Sequence, residues 1–173
     1  MTEKRKKVVS STRTLLTPRD MSRKPTSSSQ ICNICGGSEF LPGPGGRLSA
    51  TGENPRCASC QNLERHRTLR RVYDKLREAL PITNFSCLQI SEDRCIEPTW
   101  FGSHLTSIYD GSHSLDIQKL PLASRIFDCV ICNHVLEHVP NDTAAIGELA
   151  RVTSHRGFLQ IGVPDPIRMQ KTD

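Results

Sequence analysis

From residue 85 onward the chain breaks into short apolar runs parted by polar segments. SCLQIS (86–91), LTSIYD (105–110), FDCVIC (127–132) and GFLQIGV (157–163) have strand length. Two other stretches carry helical spacing. In NLERHRTLRRVYDKLREAL (62–80), Leu69, Val72, Leu76 and Leu80 recur at three- and four-residue intervals with charges between them, which predicts an amphipathic helix stopped by Pro81. In DTAAIGELARVT (142–153), Ile146, Leu149 and Val152 form one face, with Asn141 or Asp142 as cap. Strands interleaved with helical segments predict an α/β fold with a parallel sheet and right-handed crossovers. The Gly- and Pro-rich stretch 31–60 predicts neither a helix nor a long strand, and the chain has no internal repeat.

Composition adds a boundary. The 173 residues suffice for one ordinary domain plus a small module. The net charge of +5 is unevenly placed: residues 1–30 hold eight Lys or Arg against Glu3 and Asp20, so the first 30 residues carry +6 and the remainder −1. That Ser/Thr-rich segment has too few large apolar residues to offset chain entropy and is expected to be a disordered basic tail. It suits a nucleic-acid arm, a nuclear signal or a transit peptide, and equally a solvated extension. No run approaches the roughly 20 apolar residues of a membrane span, and no apolar h-region follows the N-terminal charges. A cytoplasmic protein is expected.

Eight cysteines in such a chain point to metal ligation or burial rather than disulfides. Cys32-x2-Cys35 and Cys57-x2-Cys60, with 21 residues between the pairs, offer four thiolates for one tetrahedral Zn2+ with no open position, hence a structural site. Gly36 permits the tight turn after the first pair, whereas the second, CASCQN, has no glycine there. Cys129-x2-Cys132 is different: in a strand, positions three apart face opposite ways, so these two are expected to be buried packing residues, as are Cys87 and Cys95.

The run FDCVICNHVLEHVPN (127–141) allows three readings. His134-Val-Leu-Glu-His138 fits the H-x-x-E-H pattern of a zinc peptidase helix, but a strand-like run precedes it and Pro140 follows, leaving barely one helical turn. It could be a polar cap at a strand end. The third reading is a loop beyond the carboxyl end of a central parallel strand, where open α/β sheets bind ligands.

The run LDIQKLPLASRIFDCVICNHVLEHVPNDTAAIGELARV (115–152) resembles the central part of class I S-adenosylmethionine-dependent methyltransferases. The upstream CxxC…CxxC followed by Leu63-Glu64-Arg65-His66-Arg67 is similar to a bacterial subgroup with a zinc ribbon before that fold, and the resemblance covers roughly residues 31–164. Together with the composition of the tail and the helical spacing, it divides the chain into an expected disordered tail at 1–30, a zinc-ribbon-like module at 31–62, a linking amphipathic helix at 63–84 and a Rossmann-like methyltransferase domain at 85–173 that lacks its last strands.

The resemblance further implies roles. Asp110, at the end of the second strand, would accept from the cofactor ribose, since a carboxylate can take two hydroxyls. Asp116 would lie near the adenine amine and Ile117 against its ring. Ser91 and Glu92 would fill the turn after the first strand, Glu92 holding the methionine amino group, and Asn133 and His134 would close around the methionine moiety. Asp128 would be a structural partner. His134 or His138 would serve as general base where the methyl acceptor needs one. The sequence departs from the family in having ISEDRC, without glycine, after the first strand, in SHRGF (154–158) before the last one, where Gly157 is the flexible point, and in stopping at Asp173. A second function class therefore stands beside methyl transfer to an unidentified acceptor: an inactive methyltransferase-like module whose zinc ribbon and basic tail dock a protein or nucleic acid.

Overall fold

The computed structural model describes residues 30–111 and 113–164, all but the first of them within one compact unit. The basic tail and the region after 164 lie outside these residues. Two short strands, Phe40–Leu41 (β1) and Arg56–Cys57 (β2), pair antiparallel and bring the two CxxC knuckles together. Helix α1 (Glu64–Ala79) follows at once. Its start lacks a capping side chain at Leu63, but the Leu63 N–H donates to Nδ1 of His66, 3.1 Å away, which satisfies one otherwise orphaned donor. Pro81 ends it by turning Leu80 to extended backbone.

The four apolar runs form a parallel sheet from Ser86–Ile90 (β3), Ser103–Ser107 (β4), Phe127–Asn133 (β5) and Thr153–Gly162 (β6), in spatial order β4-β3-β5-β6. The strand expected at 105–110 starts and ends earlier, because Ile108 and Tyr109 turn outward to solvent instead of continuing the ladder. Among the described residues, only β5 and β6 are joined by an α-helix, α2 (Asp142–Val152); the other two crossovers show no α-helix, contrary to the regular alternation expected. Their place on one sheet face is taken by α1 and by the buried Cys95, Ile96, Trp100 and Phe101.

Strand alternation sorts the core into two layers. Leu88, Ile90, Val130 and Cys132 meet Ala145, Leu149 and Val152 of α2, with Ile117 and Leu120. Cys87, Cys129 and Ile131 meet Tyr73, Ile82 and Trp100 on the other side. Cys129 and Cys132 thus fall on opposite faces, both fully buried, and Cys87 and Cys95 are buried as expected. The helix faces need correction. On α1 the buried line is Leu69, Tyr73 and Leu76, while Val72 and Leu80 are exposed; on α2, Ala145 rather than Ile146 joins Leu149 and Val152. A helix turns about 100° per residue, so a one-residue shift of its centre line replaces the packed set.

Arg67 is buried where α1 meets the cysteine module. It donates to the carbonyls of Pro55 (2.8 Å) and Asn62 (3.2 Å), and its guanidinium lies 4.7 Å from the Phe40 ring centre. This side chain is chemically suited to joining a loop-rich module to a helix, because it satisfies bare carbonyls and stacks on an aromatic face together. At the opposite, amino-terminal end of the sheet Asp128 accepts from the Ser86 N–H (3.0 Å), the Ser86 hydroxyl (3.0 Å) and the Ser154 hydroxyl (3.2 Å), tying β3, β5 and β6. Asp128 is a structural clamp, as the sequence implied.

Candidate functional site

The four cysteine sulfurs Cys32, Cys35, Cys57 and Cys60 all lie within 4.8 Å of one another, with Cys32–Cys60 at 3.7 Å and Cys35–Cys57 at 3.5 Å. Four sulfurs at Zn–S distances of about 2.3 Å would sit roughly 3.8 Å apart on a tetrahedron, so the cluster has the dimensions to hold such an ion. The knuckles match in backbone. Gly36 donates to the Cys32 carbonyl (2.7 Å) with φ +77°, and Gln61 donates to the Cys57 carbonyl (2.9 Å) with φ +62°. Gln61 takes the left-handed position without a glycine, at a cost of about 1–2 kcal/mol. Burial pushes the Cys57 thiol up, but the amides of Cys60 and Ser59 and the neighbouring sulfurs outweigh it and bring it down to about 7. At Cys35 the Gly37 amide pulls down, while the Cys60, Cys57 and Cys32 thiols push it up to about 12. Without a cation, the four cannot all ionise together.

The ligand crevice lies at the carboxyl ends of the strands. The chain leaves β3 to one side for β4 and then crosses to the other side for β5, so a switch point opens between β3 and β5. There a cleft of about 580 Å³ is lined by Ser91, Ser107, Asp116, Ile117, His134 and His138, among others. Ile117 is buried and offers an apolar surface, while Asp116 beside it is exposed, its Oδ1 accepting from the Gln118 N–H at 2.9 Å. The Ser107 hydroxyl is buried and accepts from the Leu115 N–H (3.0 Å), which fixes the loop carrying Asp116 and Ile117. This volume and mixture of apolar wall and few polar groups suit a small-molecule site.

Five described non-glycine residues have positive φ, and three stand just beyond these strand ends: Ser91 (+67°) after β3, Asp110 (+55°) after β4 and His134 (+54°) after β5. Each costs about 1–2 kcal/mol relative to an ordinary conformation, and two of them, Ser91 and His134, line the crevice itself, where such strain tends to collect at functional sites. Ser91 adopts the turn that a glycine would otherwise supply.

His134 is held on both sides. Its N–H donates to the Gly162 carbonyl (2.8 Å), extending the β5–β6 ladder by one bond, and its Nδ1 lies 3.4 Å from Glu137 Oε1. Asn133 donates through Nδ2 to Asp93 (3.3 Å) and accepts at Oδ1 from Gln160 (2.7 Å). A Cβ at position 162 would collide with that Oδ1, so Gly162 makes room for Asn133. His134 borders two further clefts. One, of about 600 Å³, runs between α1 and the ends of β5 and β6; the other, of about 380 Å³, is lined by His66, Ser91, Glu92 and Asn133 as well.

Ser91, Asp116, Ile117, His134 and His138 share the crevice, whereas Asn133 and Glu92 border the clefts beside it. Asp110 lies exposed in the loop, three residues past β4, and Tyr109 rather than Asp110 lines the crevice wall. The peptidase-helix reading of HVLEH, which the preceding strand and Pro140 already disfavoured, is not met: residues 136–138 form a single 3-10 turn, and among the described residues only the four cysteines gather as a metal-ligand cluster. His66, Asp93, Gln160 and Glu137 were not singled out from sequence. The polar LERHR run held a signal for His66, but nothing local to the sequence indicates that the start of α1 meets the end of β5.

A family model described as a methyltransferase domain matches residues 106–161, from Thr106 in β4 to Ile161 in β6. No curated protein matches the chain. Among solved structures, the chain is similar to the crystal structure of the trans-methyltransferase CalH in complex with SAH, at 16% identity and a TM-score of 0.44; the match covers 53% of this chain and 35% of that one. Residues 106–161, which carry the Asp116–Ile117 loop and the whole of β5 with its HVLEH turn, are therefore methyltransferase-like in sequence.

Proposed function

We propose that this protein is an S-adenosylmethionine-dependent methyltransferase with a structural Zn2+ held by Cys32, Cys35, Cys57 and Cys60. The observation that carries the reading is the coincidence of the methyltransferase-like segment with the crevice at the β3/β5 switch point. S-Adenosylmethionine, when bound, supplies a methyl group on a sulfonium, ready for displacement by a nucleophile. Ile117 would provide the face for an adenine ring and Asp116 an acceptor for its amine. Asp110, on the loop after β4, would accept from the ribose, and Ser91 and Glu92 would receive the methionine amino group. Asn133 and His134 would close the site around the reacting methyl.

Alignment does most of the work in such a transfer. Where the acceptor carries a proton, His134 would remove it. Glu137 beside Nδ1 favours the tautomer with the proton on that nitrogen, leaving Nε2 free as a base. His138, exposed at the same crevice, has no such carboxylate partner among the described contacts.

The test is calorimetric titration of zinc-loaded protein with S-adenosylhomocysteine. Micromolar binding, weakened about 10–100-fold by Asp116→Ala and by Asp110→Ala, is expected from loss of a charge-assisted hydrogen bond of 1.5–3 kcal/mol. Absence of binding by well-folded protein would overturn the reading and leave the docking module.

A further inference from the structure

We infer that the 600 Å³ cleft on the α1 side of His134 is the acceptor site of the activity proposed above, that it takes a phenolic hydroxyl, and that His66 is a positioning residue that donates a hydrogen bond to the acceptor oxygen.

The inference rests on two histidines with opposite hydrogen-bonding roles. His66 and His134 both border this cleft and the smaller one beside it. The His66 Nδ1 accepts from the Leu63 N–H at 3.1 Å, so in the neutral ring the proton is on Nε2 and that atom is a donor. Burial lowers the pKa of the half-buried ring, Asp93 and Glu64 oppose, and Arg65 and His134 add to the lowering, which favours the neutral form. At His134 the Glu137 carboxylate, 3.4 Å from Nδ1, favours a proton on that nitrogen, which leaves Nε2 as the acceptor. One cleft thus offers one imidazole donor and one imidazole acceptor.

A hydroxyl group matches that pair, since it accepts and donates at the same atom. A carboxylate or phosphate only accepts and would leave the His134 nitrogen unpaired. An ammonium only donates and would leave His66 unpaired. Leu69, Val72 and Val163 give the cleft an apolar patch beside the polar Arg65, Thr68, Asp93 and Gln160, and Val72 and Val163 are 47% and 56% exposed, which accounts for the side chain of α1 that the core does not use. Arg47 and Glu64, also at the cleft, are bonded to each other at 2.6 Å and present little net charge. An apolar ring bearing a hydroxyl satisfies both halves, and a phenol, with a pKa near 10, is far easier for imidazole to deprotonate than an alkyl alcohol. In the transfer, the phenol proton passes to His134 Nε2 as the oxygen bonds the methyl carbon. The C–S bonding pair returns to sulfur, leaving a neutral thioether and an aryl methyl ether.

The same bond that fixes the His66 tautomer also caps α1, and a suitable pair of variants separates the two roles. Glu and Gln are both favoured three residues into a helix because either can accept the Leu63 N–H. Only Gln keeps an N–H donor as well. Binding of 4-methylphenol to the zinc-loaded full chain would be followed by 13C-methyl NMR of Leu69, Val72 and Val163, with 4-methylanisole as the ligand that cannot donate. Saturable shifts are expected for wild type and His66→Gln, at least tenfold weaker binding for His66→Glu and for the anisole, and equal thermal stability and equal S-adenosylhomocysteine affinity in both variants. Equal phenol binding by the Glu and Gln variants would reduce His66 to a helix cap and overturn the inference, as would equal binding of phenol and anisole. S-Adenosylhomocysteine binding without phenol-induced shifts would overturn the inference while leaving the cofactor reading intact. His66-dependent phenol binding without cofactor binding would support the cleft and sink methyl transfer.

Discussion

Removing the Asp128 carboxylate tests whether this residue acts as a clamp or as part of the site. Its two oxygens accept from one backbone N–H and two hydroxyls, all at 3.0–3.2 Å, across three strands. The Ser86 hydroxyl also has the Ile126 carbonyl at 2.9 Å, so it can turn away when the carboxylate is lost. That leaves the Ser86 amide and the Ser154 hydroxyl as the bonds truly forfeited. At about 1–1.5 kcal/mol each in a half-exposed setting, Asp128→Ala should cost about 2–3 kcal/mol. Asp128→Asn can keep its oxygen on the Ser86 amide and turn its NH2 to Ser154, costing about 1 kcal/mol. Urea unfolding of the three proteins measures this, and the Tm of the alanine variant should fall by about 5–10 °C. The Ser86 amide is the largest influence on the Asp128 pKa; burial opposes it, the Ser86 and Ser154 hydroxyls add to it, and the net shift is below the usual 3.8. A depressed folded-state pKa gives stability that is present above the unfolded value and lost as pH falls through the folded one, so the gap between wild type and Asp128→Asn should close below about pH 4. S-Adenosylhomocysteine affinity should be unchanged in either variant, since Asp128 sits at the opposite end of the sheet from the crevice. A loss of affinity larger than the loss of stability, or an alanine variant as stable as wild type, would refute the clamp.

Three further outcomes are expected. Cys57→Ser should abolish stoichiometric zinc, read by elemental analysis against protein concentration, and lower the unfolding midpoint because Arg67 then loses the ordered Pro55 and Asn62 carbonyls; a variant with one equivalent of tightly held zinc would contradict the four-sulfur site. Gly162→Ala drives a methyl into the place of Asn133 Oδ1, so it should break the Gln160–Asn133–Asp93 chain and weaken S-adenosylhomocysteine at least several-fold by titration, with a stability loss of only about 1–2 kcal/mol. Tyr73→Phe should leave stability unchanged or raise it by up to about 1 kcal/mol in urea melts, because the buried hydroxyl lies against cysteine thiols with no conventional partner; destabilisation above that would reveal a hydrogen bond to it.

The site was legible where chemistry is local in the chain. The CxxC pairs foretold a convergent sulfur cluster because each knuckle is closed by backbone bonds within five residues of its first cysteine. The run FDCVIC declared a central strand since both faces of it are apolar, and Asn133–His138 then had to fall at its carboxyl end. The glycine-free turn after β3 misled in one respect: Ser91 reaches the left-handed conformation unaided, which no propensity argument would favour. Equally, the periodicity of α1 was read around Val72 and Leu80, yet the packed line runs through Tyr73, whose bulk fits against Trp100 at 6.0 Å between ring centres.

By itself, then, the sequence determined the parallel α/β class, the thiolate set and the identity of the loops at the strand ends, because these follow from side-chain period and from turns of a few residues. Tertiary structure alone decided that His66, near the start of α1, borders the same cleft as His134, and that Gly162 yields space to Asn133. Those meetings span dozens of residues, and their geometry is set by which faces of α1 and the sheet pack together, a choice made by the shape of the whole core and not by any local run.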